Sequence, residues 1–254
     1  MNNQNDDVTI LVVSCDAYKD LWKPFFHCFF KYWNDCEYSV YLASNFEKYD
    51  DSRVNIINYG EDHAYSTNLL NILKEVDSKW VMLWFEDALI YSKVDNSLIK
   101  KLIFDAKESN AGYLKFTVDL PIFYSKKGED IGELPKGVKY RSGIGLALYQ
   151  KEILLKLLEP GLSAWELDKS NVSDSLSEPF MALSQNFIWN PPIKVLNGVI
   201  KRKWTYGTSV FLKKEGLGEL VSNRSVQKFQ ETIYTRLYLL RSKLYMIFRI
   251  YWKN

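Results

Sequence analysis

Two adjacent carboxylates, Glu86 and Asp87, follow the apolar run Trp80 to Phe85. Such a run reads as a strand buried on both faces, the pattern of a central strand in a parallel sheet. Open α/β sheets collect ligands outside the carboxyl ends of their strands, so the pair stands where a nucleotide, a sugar or a metal would be handled. Ordinary capping or ion pairing explains a lone acidic dipeptide equally well. A second acid cluster, Ser163-Ala164-Trp165-Glu166-Leu167-Asp168, sets carboxylates beside an indole. A basic run, Lys201-Arg202-Lys203, follows the strand-like segment Ile193 to Ile200. Ser14 and Asp16 end a β-branched run that begins at Val8, and Asn45 follows another that begins at Tyr38.

Periodicity gives the elements that must carry these groups. Val8 to Val13 is a buried strand, and Asp20 opens a helix with Pro24 in its first turn and aromatic residues through Trp33. Tyr38 to Ala43 and Val54 to Asn58 are strands. From Ser66, read as an N-cap, Leu69, Leu70, Ile72, Leu73 and Val76 form an amphipathic helix leading to the Trp80 strand. The order β-α-β-β-α-β is the nucleotide-binding half of a doubly wound α/β fold. Neither GxGxxG nor GxxxxGK[ST] is present, which disfavours a dinucleotide dehydrogenase or a P-loop NTPase. Further on, a helix starts at Val94-Asp95, and Gly112 to Val118 and Ile144 to Tyr149 read as strands. Residues 124–138 read as a mobile charged loop, and Lys151 to Leu158 as a short helix.

The 254 residues, 47% of them hydrophobic, suffice for one large α/β domain without disulfides. A net charge of +2 argues against general nucleic-acid binding. Three cysteines and two histidines, with no CxxC, make a zinc site improbable and fit a reducing cytoplasm. The cysteines and His27 read as core, His63 as a loop residue. The polar, acidic N-terminus does not have the pattern of a signal peptide, and no apolar run has the length of a membrane span.

At this point the chain resembles a family. Ser14-Cys15-Asp16-x-Tyr18-x-Asp20-Leu21-Trp22-x-Pro24-Phe25-Phe26, Lys31-Tyr32-Trp33 and Val40-Tyr41-Leu42-x-x-Asn45 are similar to segments of bacterial glycosyltransferases from polysaccharide and O-antigen gene clusters. Glu86-Asp87 with Val94-Asp95, the Ser163–Asp168 box, and Asn197-Gly198 to Trp204 extend the likeness. The resemblance implies a GT-A-like single domain with a mostly parallel Rossmann-like sheet. It also implies a nucleotide-sugar donor and a saccharide or lipid-linked oligosaccharide acceptor. The chain departs from the family in two places. The Asp-x-Asp signature is reduced to Glu86-Asp87, and the late box has Ala164 and Asp168 where Pro and Glu are usual. Mn2+ or Mg2+ held through Asp87 and metal-free chemistry both stay open.

Glycosyl transfer needs a base for the acceptor hydroxyl, neutralisation of the leaving diphosphate, and positioning of the sugar. Glu166 and Asp168 are the candidate bases, with Trp165 as an apolar wall that would raise a carboxyl pKa and as an acceptor contact. Lys201, Arg202 and Lys203 are candidate phosphate cations. Ser14, Asp16 and Asn45 are candidates for the base or ribose. A carbohydrate- or nucleotide-binding protein without turnover, and a sugar nucleotidyltransferase, are the alternatives.

The chain divides into a catalytic region, 1–223, and a C-terminal segment, 224–254. The latter carries seven basic residues and one acid, a charge of +6, which leaves −4 on the remainder. Val226, Phe229, Ile233, Leu237, Leu240, Leu244, Phe248 and Tyr251 form a stripe at helical spacing. A basic amphipathic helix of this kind suits the surface of an anionic membrane, placing the protein at the cytoplasmic face; packing on the body or across a dimer is the plainer reading.

Overall fold

The computed structural model describes residues 7–117, 129–187 and 189–251. Strand β1 (Val8–Val13) leads through a 3-10 turn to α1 (Trp22–Tyr32), followed by β2 (Ser39–Ser44), β3 (Val54–Asn58), α2 (Tyr65–Ile72) and β4 (Trp80–Phe85). Then come β5 (Ala88–Ile90), α3 (Asn96–Glu108), β6 (Tyr113–Lys115), β7 (Ile131–Glu133), β8 (Ala147–Gln150), α4 (Lys151–Leu157), α5 (Ala164–Asp168) and β9 (Phe180–Leu183). The chain continues through β10 (Val195–Asn197), β11 (Val199–Ile200), β12 (Lys203–Trp204), α6 (Tyr206–Lys214) and α7 (Phe229–Tyr251).

Eight strands form one sheet in the order β3-β2-β1-β4-β8-β6-β9-β7. The first four are mutually parallel, and only β8 and β7 run against the rest. Alternation along the strands sends successive side chains to opposite layers. Val8, Ile10 and Val12 of β1, with Trp80, Met82 and Trp84 of β4, pack against α1 and α3. Leu11, Val13, Val81 and Leu83 pack with α2 and α4 on the other face. Both faces of the central strands are thus covered by helices, and this is the mostly parallel, Rossmann-like α/β arrangement that the order of strands and helices predicts. A third cluster, around Trp204, Leu212 and Leu217, seats α6 against Cys28 of α1 and Leu21 just before it.

Several expectations change in three dimensions. Within the segment read as a loop, Ile131–Glu133 is a strand paired with β9; residues 124–128 lie outside the described part. The single strand expected over 193–200 splits at Gly198. Its amide donates to the Asp87 carbonyl at 2.5 Å, and a Cβ there would sit 2.8 Å from that oxygen. Ser66 is not an N-cap: Ala64 holds that position, and the Ser66 hydroxyl accepts from the Leu162 amide at 2.9 Å. His27 is exposed rather than core, 3.6 Å from Glu215. The C-terminal helix begins at Phe229, and residues 224–227 are tied to the body before it. Val226 is therefore off the helical stripe.

Trp84 joins the core to the turn after β4. It is buried, its ring meets Phe25 and Phe29 edge-on at 6.0 and 5.7 Å, and its Nε1 donates to the Ala88 carbonyl at 2.9 Å. Trp84→Ala is expected to lower the unfolding free energy by about 3–5 kcal/mol, and Trp84→Phe by clearly less. Urea denaturation of the two variants beside the parent chain checks both.

Candidate functional site

The parallel half of the sheet reverses its winding at β1, which has β2 on one side and β4 on the other. The carboxyl ends of β1 and β4 therefore flank the switch-point crevice where α/β sheets take ligands. Ser14, Cys15 and Asp16 leave β1 there, and Glu86 and Asp87 leave β4. The residues chosen from sequence at these two strand ends come together.

On the β1 side the polar groups serve one another. The Asp16 carboxylate accepts from the backbone amides of Asn45, Phe46 and Glu47 at 3.1–3.3 Å. Asn45 returns the contact, its Oδ1 accepting from the Asp16 amide at 3.0 Å and its Nδ2 donating to Gly60. Asp16 and Asn45 thus lock the loops after β1, β2 and β3 into one rim. The Ser14 hydroxyl accepts from Trp22 Nε1 at 2.8 Å, and the Tyr59 hydroxyl donates to the Ser14 carbonyl at 2.9 Å.

The acid pair carries the unusual electrostatics. Glu86 is only 7% exposed. Burial, and next the charge of Asp87, push its carboxyl up to about 8; the Ser14 hydroxyl and the Arg224 charge pull it down by less. Burial also pushes Asp87 up to about 6, against its own backbone hydrogen bond and Arg224. Desolvation penalises the ionised form, and too little positive charge is present to offset it. Tyr65 sits within electrostatic reach of both Glu86 and Asp168, and its buried hydroxyl has no partner among the described residues.

The later segments arrive by hydrogen bonding to this turn. β10 pairs antiparallel with β5, setting Asn197 opposite Ala88, and Gly198 then meets Asp87. β11 and β12 form a two-residue hairpin whose tip is Lys201-Arg202, both at positive φ (50° and 64°). Paired positive φ is the backbone of a tight hairpin turn, which glycine and asparagine favour; two long basic side chains in it are strained. Both are exposed. Lys203 is drawn away from the trio, its Nζ 2.6 Å from Glu231 Oε1 on α7. Arg224, unmarked in the sequence except as part of a basic tail, instead packs on the loop after β1. It forks onto Asp20. The signal for this pairing was weak: Asp20 reads as a helix opener, and 204 residues separate the two.

The Ser163 box divides. Ser163 caps α5 and Glu166 closes a capping box, its carboxylate accepting from the Ser163 amide at 2.9 Å and the hydroxyl at 2.6 Å. These bonds hold Glu166 below the ordinary carboxylate range. Trp165 is 75% exposed and walls nothing, so the expected upward push on Glu166 does not occur. Asp168 turns inward: its Oδ1 accepts from the Ile144 amide at 2.9 Å, and its charge acts on Tyr65 and Tyr149.

Among the described residues no three His, Cys, Asp or Glu side chains gather as a metal cage. Mg2+ and Mn2+ do not require one, since one or two carboxylates plus substrate phosphates suffice. Two adjacent hard-oxygen groups whose carboxyls are pushed up by burial would fit such a cation, with Asp87 and Glu86 as its holders.

The same shifts fix a pH dependence. Glu86 binds its proton more tightly folded than unfolded, so the unfolded state holds fewer protons between its usual value and about 8. Stability therefore falls as pH rises through that window and levels off above it. Glu86→Gln is expected to flatten this slope and to melt above the parent chain at pH 8, but not at pH 4. Thermal melts from pH 4 to 9 measure it.

No protein-family model matches the chain, and no curated protein matches it. Among solved structures, the 1–349 fragment of S. aureus TarS in complex with UDP is similar at 10% identity and TM-score 0.48, over 70% of this chain and 57% of that one. The same fragment with UDP-GlcNAc gives 8% and 0.44, over 70% and 55%. A cytidylyltransferase from Leptospira borgpetersenii gives 13% and 0.41, over 64% and 68%. The chain spans just over half the length of the TarS fragment. At such values the likeness carries no argument about the reaction.

Proposed function

We propose that the chain moves a sugar from a nucleotide-sugar donor to a saccharide or lipid-linked oligosaccharide acceptor, as surface polysaccharide and O-antigen assembly require. The supporting observation is the adjacent acid pair at the β1/β4 switch point, Glu86 buried and Asp87 half-buried. In this reading the rim locked by Asp16 and Asn45 receives the base and ribose, with Ser14 beside Glu86. A divalent cation, when bound at Asp87, would neutralise the leaving diphosphate. Asp87 and Glu86 orient that end of the donor, and the exposed Lys201-Arg202 tip adds positive charge. Of the two candidate bases, Asp168 is favoured, because it is half-buried and its charge, like that of Glu86, acts on Tyr65, while Glu166 is held by its cap. Trp165, flat and exposed, is a stacking surface for an acceptor sugar.

The C-terminal helix suits a membrane-borne acceptor. Phe229, Ile233, Leu237, Leu240 and Leu244 are exposed along it, as are Lys228, Arg236 and Arg241. Among the described residues no helix is long and apolar enough to cross a membrane. Apolar residues flanked by cations match an anionic lipid surface, at the cytoplasmic face where nucleotide sugars would be met.

A thermal-shift screen of nucleotide sugars, with and without Mn2+, identifies the donor. Turnover should then fall ~100-fold or more in Asp87→Asn and Asp168→Asn and stay near normal in Glu166→Gln, with all three folded. Donor binding without nucleotide release would leave a binding protein instead; normal turnover in both Asp variants would overturn the site. For the helix, the parent chain should float with phosphatidylglycerol vesicles, while Ile233→Glu/Leu237→Glu/Leu240→Glu should stay in the soluble fraction. Equal flotation removes the membrane assignment.

A further inference from the structure

Arg224 arrives at the site on an extended strap. The Trp204 amide donates to the Ser225 carbonyl at 2.9 Å, and the Gln227 amide to the Trp204 carbonyl at 2.8 Å. Trp204 is wholly buried, so the strap is fixed to the body on both sides of Val226. This delivers the guanidinium onto the turn that follows Ser14, Cys15 and Asp16.

There it is held on three sides. Nε and Nη2 donate to the two Asp20 carboxylate oxygens at 2.5 and 2.6 Å, and Nη2 also reaches the Ala17 carbonyl at 3.4 Å. The Tyr18 ring lies 4.9 Å from the guanidinium carbon. The side chain is only 12% exposed. Of the five guanidinium N–H groups, those on Nη1 make no hydrogen bond among the described residues. A surface ion pair would need none of this: burial, a ring below and a backbone carbonyl fix the fork in one orientation. The charge so fixed acts on both Glu86 and Asp87.

We propose that Arg224 is a phosphate-binding residue of this crevice, its Nη1 edge contacting a diphosphate whose cation is held by the acid pair, with Asp20 as its positioning residue. Planar guanidinium suits phosphate oxygens in a way a point-charge ammonium does not. A diphosphate approaching two carboxylates meets repulsion unless positive charge faces it, and Arg224 is fixed on the turn after β1, the strand next to β4, from where its charge acts on both. The proposal rests on the reading of the crevice as a nucleotide-sugar site and adds the residue that grips the leaving group.

The test uses the full chain and inorganic pyrophosphate with Mg2+, titrated calorimetrically into the parent, Arg224→Lys and Arg224→Gln. Each protein's melting temperature is recorded without ligand. The dissociation constant should rise ~10-fold in Arg224→Lys and ~100-fold in Arg224→Gln. Arg224→Lys retains the ion pair with Asp20, so it decides the matter if Arg224→Gln does not fold. A lowered melting temperature with unchanged pyrophosphate affinity would reduce Arg224 to a structural tie. Absence of pyrophosphate binding by the parent would overturn the proposal as well. If the affinity series appears but no nucleotide sugar turns over, glycosyl transfer fails as a reading and Arg224 keeps its assignment.

Discussion

Two carboxylates withdrawn from water at the end of a doubly covered strand set the terms for the rest of this protein. β4 is buried on both faces because helices lie on either side of the sheet, so the residues that end it start from inside the body. Glu86 and Asp87 lose hydration there and regain only part of it from Ser14, from their own backbone and from Arg224. A purely structural turn would place neutral groups at that point. Keeping two acids costs stability at neutral pH, the pattern expected where function overrides local optimisation.

Much of the C-terminal third is arranged around that turn. Gly198 touches the Asp87 carbonyl, the hairpin after it carries two basic residues in strained backbone, and Trp204 anchors both the hairpin and the Arg224 strap. The glycine is required by close approach rather than by an unusual φ, since any side chain would collide with the Asp87 carbonyl and Leu89. Of the cationic groups from residues 201–224, Arg224 is the one whose charge acts on Glu86 and Asp87, and backbone hydrogen bonds to the buried Trp204 fix the strap that carries it.

The Ser163 box shows how a local rule and a chemical role compete for one side chain. Ser-x-x-Glu is the capping-box pattern, and the structure uses it as one: Glu166 is occupied by the start of its own helix. Asp168, two residues on, holds the loop before β8. Ser66, buried in α2, pins the approach to the box through Leu162, so an apparent helix cap is a contact between distant segments.

The sequence by itself determined what depends on neighbours along the chain. The alternating and doubly apolar runs of β1 to β4, their β-α-β-β-α-β order, the acids at a strand end and the Phe229 to Leu244 part of the α7 stripe follow from the order of residues along the chain, and they stand. Only the tertiary structure decided the rest. The three-residue strand β7 has too few residues for a pattern of its own and exists because β9 completes its hydrogen bonds. Whether Glu86, Glu166 or Asp168 is buried follows from which layers close over it, and for Glu86 that burial is what raises the carboxyl. Arg224 belongs with Asp20 because the chain folds back across 204 residues, a distance over which local sequence carries no signal.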